Sequence, residues 1–427
     1  MPTASALLLA WLLGLQSPPP PPPPPTGPDG LPRKLQDELP SKPQEETKEG
    51  VSVYPMPALN ADKDAGLTYG VLGALLFTDR EGFQNALLSA AVAYQHLVKF
   101  SLEVEYRLSP EPWQTLDLDG YYAQHVENSL RLFYEDFKAL DSAYHARIEI
   151  FDFRSTTDRF FGIGDNTPKS AESVRTSNEY RTEVRFGPRL DPTFDIEATV
   201  RWRKFRVSDS LVTDRPQTTA AYPGVPGIEG GSVLAGGVRL VHDSRDNPTT
   251  PVTGVFMNAY FERAEDFAPD KEYAYYNAGA SVVSLWPMDK TQQFVTVVNV
   301  ASQLAIGDYV PFWELPTLGG ISTLRSYNNA RFTNRGMLVV NLEERIRVYE
   351  TSLEGVSGEV QLAPFFDTGK VYDSADDLVG RGVIENFHWS AGIGIRGVVK
   401  PSFVGRLDIG FGGREGVGIV VGLDYPF

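Results

Sequence analysis

The chain has no cysteine and only five histidines in 427 residues. The first absence excludes a disulfide framework and a thiolate metal site. The histidines, His96, His125, His145, His242 and His388, are scattered without the spacing of zinc ligands. Positive charge is also short. There are 39 Lys and Arg against 55 Asp and Glu, a net charge of −16 and a pI of about 4.9. That balance argues against a nucleic-acid partner, which needs a basic face. From Val51 onward no apolar run approaches the ~18 residues of a helical membrane span. The G-x-S-x-G elbow of a serine nucleophile is missing. Gly392–Gly397 (GIGIRG) fits a dinucleotide fingerprint literally, but no helical pattern follows it, so it reads as a glycine-rich strand. Asp117–Gly120 (DLDG) lacks the remaining ligands of a calcium loop and reads as a turn. The sequence therefore offers no catalytic residue, metal site or cofactor, and an enzyme is not expected.

What is abundant points to an all-β protein. The chain has 19 Tyr, 24 Phe and 39 Gly, a balance that suits many turns and aromatic girdles. Long segments alternate with period two. In FDIEATVRWR (194–203), Phe194, Ile196, Ala198, Val200 and Trp202 share one face, and Asp195, Glu197, Thr199, Arg201 and Arg203 the other. SLEVEYRL (101–108) and FVGRLDIGF (403–411) repeat the pattern. A soluble sandwich and a membrane barrel both alternate this way; in the barrel the apolar face meets lipid and the charges line the lumen. Three features favour the barrel. The strands are long enough for a tilted bilayer crossing. Short turns such as 400–402 alternate with long polar loops, 154–179 and 207–237. The chain ends on VGIVVGLDYPF (417–427), with Leu423, Tyr425 and Phe427 on one face and an aromatic last residue. That end resembles the C-terminal signal by which outer-membrane barrels are recognised for insertion.

The N-terminus reads as targeting followed by a spacer. Ala6–Leu15 is an apolar run too short to span a bilayer but suited to a signal-peptide core, giving a signal segment over 1–17. No Lys or Arg precedes it. Residues 18–50 form a spacer, first an unbroken proline run, Pro18–Pro25, then a charged stretch without apolar periodicity. The barrel is expected over 51–427. At about 23 residues per strand and connection, that length gives about sixteen strands. The last five are expected at about 336–348, 357–368, 389–398, 403–411 and 417–427. With the C-terminus in the periplasm, the loop 319–332 (GGISTLRSYNNARF) falls on the extracellular side, and the connection Tyr349–Val356 in the periplasm.

Four motifs carry a family resemblance. LRSY (324–327) follows Gly319-Gly320 and precedes Phe332. NLEER (341–345) and FFDTG (365–369) lie in the strands after it. HDSRDNP (242–248), with PVTG (251–254), forms a hairpin motif of Asp243, Arg245, Asp246, Asn247, Pro248 and Gly254. FGIGDNT (161–167) also looks like a family loop. In this order and spacing they resemble the barrel of the BamA/TamA outer-membrane assembly-factor superfamily, the bacterial surface antigen family. Residues 54–160 match only in general barrel character. Ser326 departs from the family pattern, which has Gly there; Gly is used where φ is positive or contact is close. Residues 26–53, between the proline run and Tyr54, are too few for the periplasmic repeat domains most members carry before the barrel.

The resemblance implies a role in inserting or transporting proteins or lipids at the outer membrane of a Gram-negative-type bacterium. It also implies outer-membrane lipids as partners, together with nascent outer-membrane proteins or a periplasmic partner chain. A passive pore or structural surface barrel is the alternative. The resemblance further implies that Arg325 folds into the lumen between Glu343 and Asp367. Alternation puts both acids on the inner face of neighbouring strands, and one guanidinium fork can serve two carboxylates. The other possibility is a solvated Arg325, with the acids paired to Arg345 and Arg347. Glu344 breaks the outward apolar pattern and is expected away from the bilayer midplane.

Overall fold

The computed structural model describes residues 50–64, 66–79, 83–267, 273–353, 356–378, 386–400 and 403–427. The expected signal segment and all of the spacer except Gly50 lie outside the described residues. The fold is an all-β antiparallel barrel of eighteen strands, with a two-stranded ribbon in one loop. Its strands are β1 (Gly50–Asp62), β2 (Gly66–Thr78), β3 (Gln84–Gln95), β4 (Lys99–Leu108), β5 (Gln114–Ala123), β6 (Asn128–Lys138), β7 (Tyr144–Phe160), β8 (Ser173–Asp191), β9 (Phe194–Ser208), β10 (Gly230–Asp243), β11 (Gly254–Asp266), β12 (Ala274–Pro287) and β13 (Phe294–Ile306). The ribbon is β14 (Thr317–Leu318) and β15 (Phe332–Thr333). The barrel closes with β16 (Gly336–Leu353), β17 (Val356–Tyr372), β18 (His388–Lys400), β19 (Phe403–Gly412) and β20 (Gly416–Leu423). Among the described residues no helix is long and apolar enough to cross a membrane; the strands do the crossing.

Eighteen strands replace the expected sixteen because several connections are far shorter than the average used. β8 and β9 are joined across Pro192 and Thr193 alone, and strands run through what looked like loops. The presumed 154–179 loop is only 161–172, the 207–237 loop is 209–229, and β16 and β17 consume most of 349–356. An even strand number brings the start of β1 and the end of β20 to one end of the barrel, called here the terminal end. The opposite, loop end carries the connections at 161–172, 209–229 and 307–335.

Alternation organises the wall as expected. Val200, Leu342, Ile409 and Phe411 are exposed outward, while Arg201, Arg203, Asn341, Glu343, Arg345, Arg406 and Asp408 are buried inside. Glu344 lies on the outer side, opposite Thr296, whose hydroxyl donates to it at 2.6 Å close to the terminal end. Strand heights are unequal. β7, β8, β16 and β17 have 17 to 19 residues, while β19 and β20 have 10 and 8. The tall strands exceed what a bilayer crossing needs, and they wall the space into which the loops fold.

The C-terminus departs from expectation. β20 stops at Leu423, and Asp424 takes a left-handed φ of 63°. Val417, Ile419, Val421 and Leu423 keep the outer-face alternation, but Tyr425 and Phe427 turn inward. Tyr425 lies under the Arg345 guanidinium at 3.3 Å and donates to Gln361 at 3.0 Å. Phe427 packs with Leu285, Val295 and Val297. A proline at 426, which lacks an N–H, and a residue with positive φ at 424 both work against continuing a strand.

Candidate functional site

The loop 307–335 leaves β13 and returns to β16 by way of the lumen. Its second half seats Arg325 on the β16–β19 wall. Arg325 donates through Nε and Nη2 to Asp367 at 3.0 and 2.8 Å and through Nη1 to Glu343 at 2.6 Å; its backbone N–H also reaches Asp367 at 3.2 Å. The Phe365 ring lies 3.5 Å from the guanidinium. Both acids have further partners. Arg396 and Arg345 reach Glu343 at 2.9 and 3.1 Å, and Asn341 reaches Asp367 at 2.8 Å. Arg396 also pairs with Asp408 at 2.7 Å. Arg325, Glu343 and Asp367 are at most 2% exposed. Burial alone would loosen the Arg325 proton, but Asp367 and Glu343 hold it more tightly than in free arginine. Of the two arrangements left open above, the structure shows the bridged one, and Arg345 joins it through Glu343.

The rest of the loop motif packs around this centre. Gly319 and Gly320 take positive φ of 116° and 107°, which permits the tight entry into the turn. The Gly319 N–H is capped by the Thr323 hydroxyl at 2.9 Å. Leu324, Tyr327 and Phe332 are buried with Leu318, Met337 and Val339. Ser326 is not among the positive-φ residues, so its backbone does not call for glycine. The close contact is met from the opposite side. A Cβ on Gly412 would lie 2.1 Å from the Ser326 Oγ, and one on Gly418 would lie 2.6 Å from the Ser326 Cα. The glycines of β19 and β20 make the room at Ser326.

FGIGDNT (161–167) lies against the same loop. Gly164 bridges Thr333, and Arg331 reaches the Thr167 carbonyl at 2.8 Å and Glu415 at 2.8 Å. The hairpin motif sits apart, at the terminal end. There Arg245 grips Asp243 through Nε and Nη2 at 2.9 and 2.7 Å. Asn247 accepts from the N–H groups of Thr249 and Thr250, and Asp246 from those of Val252 and Thr253. Pro248 offers its carbonyl to Arg245, and Gly254 closes the turn at φ 109°. This turn reaches the main cluster through Arg345, which donates to the Pro251 carbonyl at 3.4 Å.

A second anchor was not read from the sequence. Glu314, in the first half of the loop, accepts from Arg201 Nη1 and Nη2, each at 2.9 Å, and from Arg203 Nη1 at 2.9 Å. Arg203 also binds Glu179 at 2.8 Å. Phe312 and Trp313 beside it enter an aromatic cluster with Phe160, Phe205, Tyr273 and Tyr275. The loop is thus tied at two points with opposite charges, an acid on the β9 wall and a base on the β16–β17 wall. Burial alone would raise the Glu314 carboxyl, but Arg201 and Arg203 outweigh it and hold its pKa at about 2. A carboxyl depressed by folding stabilises above its unfolded pKa, about 4.3, and loses that contribution as pH falls through its folded value. Pepsin nicking of 307–335, normalised to an unstructured peptide, is therefore expected to rise between pH 4.3 and 2. Glu314→Gln should flatten that rise. Equal protection of the parent protein at pH 2 and pH 4 would remove the anchor.

The sequence profile of the Omp85 superfamily domain matches residues 111–413. The chain belongs to this superfamily, a class of outer-membrane barrels of Gram-negative-type cells. Among solved structures it is similar to BamA from Haemophilus ducreyi lacking POTRA domains 1–3, at 14% identity and a TM-score of 0.53, over 89% of this chain and 76% of that one. It also aligns with CdiB from Escherichia coli at 12% identity and a TM-score of 0.46, over 89% and 68% of the two chains. No curated protein sequence matches it.

Proposed function

We propose that this protein inserts or moves proteins or lipids at the outer membrane through the junction of its first and last strands, with the seated loop bracing the lumen. The observation that carries this is the seam. β1 pairs with β2 at thirteen positions, and β19 with β20 at eight, but β1 meets β20 at one pair, Ala61–Val421. A junction held by one ladder pair opens at far smaller cost than its neighbours, since each ladder hydrogen bond contributes about 1 kcal/mol, and an unpaired strand edge is a ready template for another chain. A barrel crossed by a loop anchored on both walls is poorly suited to a passive pore.

Depletion of the protein, followed by an inventory of outer-membrane proteins and lipids, tests the proposal. Selective loss of barrel proteins or a shifted lipid composition is expected. An unchanged inventory, together with a steady large single-channel conductance from the purified protein, would overturn it in favour of the pore.

A further inference from the structure

We propose that Lys63 and Asp64, at the tip of the β1–β2 hairpin, are positioning residues that couple the seated loop to the seam, so that loop release loosens the junction. This rests on the reading of the seam given above. On that side β1 meets the last strand at the ladder pair Ala61–Val421. Its pairing with β2 is continuous from Gly50 to Asp62, so one edge is fully used. Proline is tolerated in a strand where no N–H is required. Pro55 and Pro57 are two residues apart and share the parity of Ala61; backbone groups alternate between the two edges of a strand, so all three address the same one. That is the seam edge, where two donors are missing.

The tip supplies what the ladder lacks. Lys63 Nζ donates to the Ser326 carbonyl at 2.9 Å and to the Glu415 carbonyl at 2.7 Å. The Asp64 carboxylate accepts from Asn328 Nδ2 at 2.6 Å and from the Asn329 N–H at 2.7 Å, and pairs with Arg159 Nε at 2.6 Å. Three of these five bonds come from residues directly after Arg325. They exist only while the loop sits in the lumen, and Glu415 is the residue before β20 begins. The clasp therefore joins the first strand, the loop and the last strand. Loop departure would take these three bonds from the tip.

The absence of native cysteine makes a seam reporter simple. Ala61→Cys with Val421→Cys places two thiols on directly opposed residues of an antiparallel pair, near the geometry a disulfide needs. The full-length barrel in membranes is oxidised mildly and cross-link yield is read on gels, with heat-modifiability confirming a folded barrel. Asp64→Ala and Lys63→Met are each expected to lower the rate of cross-linking at least threefold, and Asp64→Glu to restore part of it. Arg325→Ala should lower it similarly, and the Arg325→Ala, Asp64→Ala pair no further, because both act through one path. Asn328→Ala, which removes a single bond to Asp64, gives a smaller fall and keeps the test available if a tip variant does not insert. An unchanged rate in the tip variants, or a double variant whose fall is the product of the two single falls, overturns the coupling. If Arg325→Ala exposes the loop to protease but leaves the cross-link unchanged, the coupling fails while the seated loop stands. If Arg325→Ala leaves the loop protected, the seating itself fails.

Discussion

Arg325→Ala is expected to yield a barrel that inserts, melts at lower temperature in the heat-modifiability assay, and is nicked by protease within 319–332. Removing one partner from a buried ion cluster typically costs about 3–5 kcal/mol, because the remaining charges stay buried. Here the loss is uneven. Glu343 keeps Arg345 and Arg396. Asp367 loses both side-chain bonds from Arg325 and retains the one from the Asn341 amide at 2.8 Å. Asp367 should thus carry most of the penalty, and Arg325→Ala combined with Asp367→Asn should be less destabilised than Arg325→Ala alone. Arg325→Lys should rescue poorly, since an ammonium cannot reproduce the fork that spans two carboxylates. If the single variant shows an unchanged transition and an intact loop, the brace is absent.

The parts of this arrangement that were legible in the sequence are those with a short-range signature. Period-two alternation placed Glu343 and Asp367 on inner faces, and a glycine pair with an LRSY core marked the inserted loop. Glu314 had no such signature. It is one carboxylate in a PFWELP stretch, and its partners Arg201 and Arg203 lie more than a hundred residues earlier. Alternation showed that those arginines face inward but not what they face. The first strands hid for a different reason. β2 and β3, GLTYGVLGALLFT and QNALLSAAVAYQ, place small and apolar residues such as Leu72, Ala74 and Ala91 on the inner face, so polarity does not alternate there. β1 contains two prolines, which argue against a central strand; it is one side of the seam. At the other end, outward alternation ran to Phe427 on paper, and only the DYPF turn chemistry could have shown that it stops at Leu423.

Gly418→Val is expected to unseat the same loop with every charge in place. The new Cβ would stand 2.6 Å from the Ser326 Cα and 3.0 Å from the Arg325 carbonyl oxygen. Both are backbone atoms, so no rotamer change relieves the clash; either the loop rises or β20 moves outward. Overpacking of this kind costs about 1–3 kcal/mol or more, borne by the contact between loop and strand. Gly397→Ala on β18 is the matched control, because a Cβ there meets nothing within 4 Å, and it should behave as the parent. The comparison with Arg325→Ala then separates two causes. If Gly418→Val reproduces both the protease sensitivity and the lowered transition of Arg325→Ala, what matters is that the loop is seated, and the ion cluster is the means. If the loop stays protected in Gly418→Val while β20 cross-links less to β1, the strand has yielded instead, and the seam is the softer of the two. A variant indistinguishable from Gly397→Ala in both assays would mean that the loop does not rest on β20 at all.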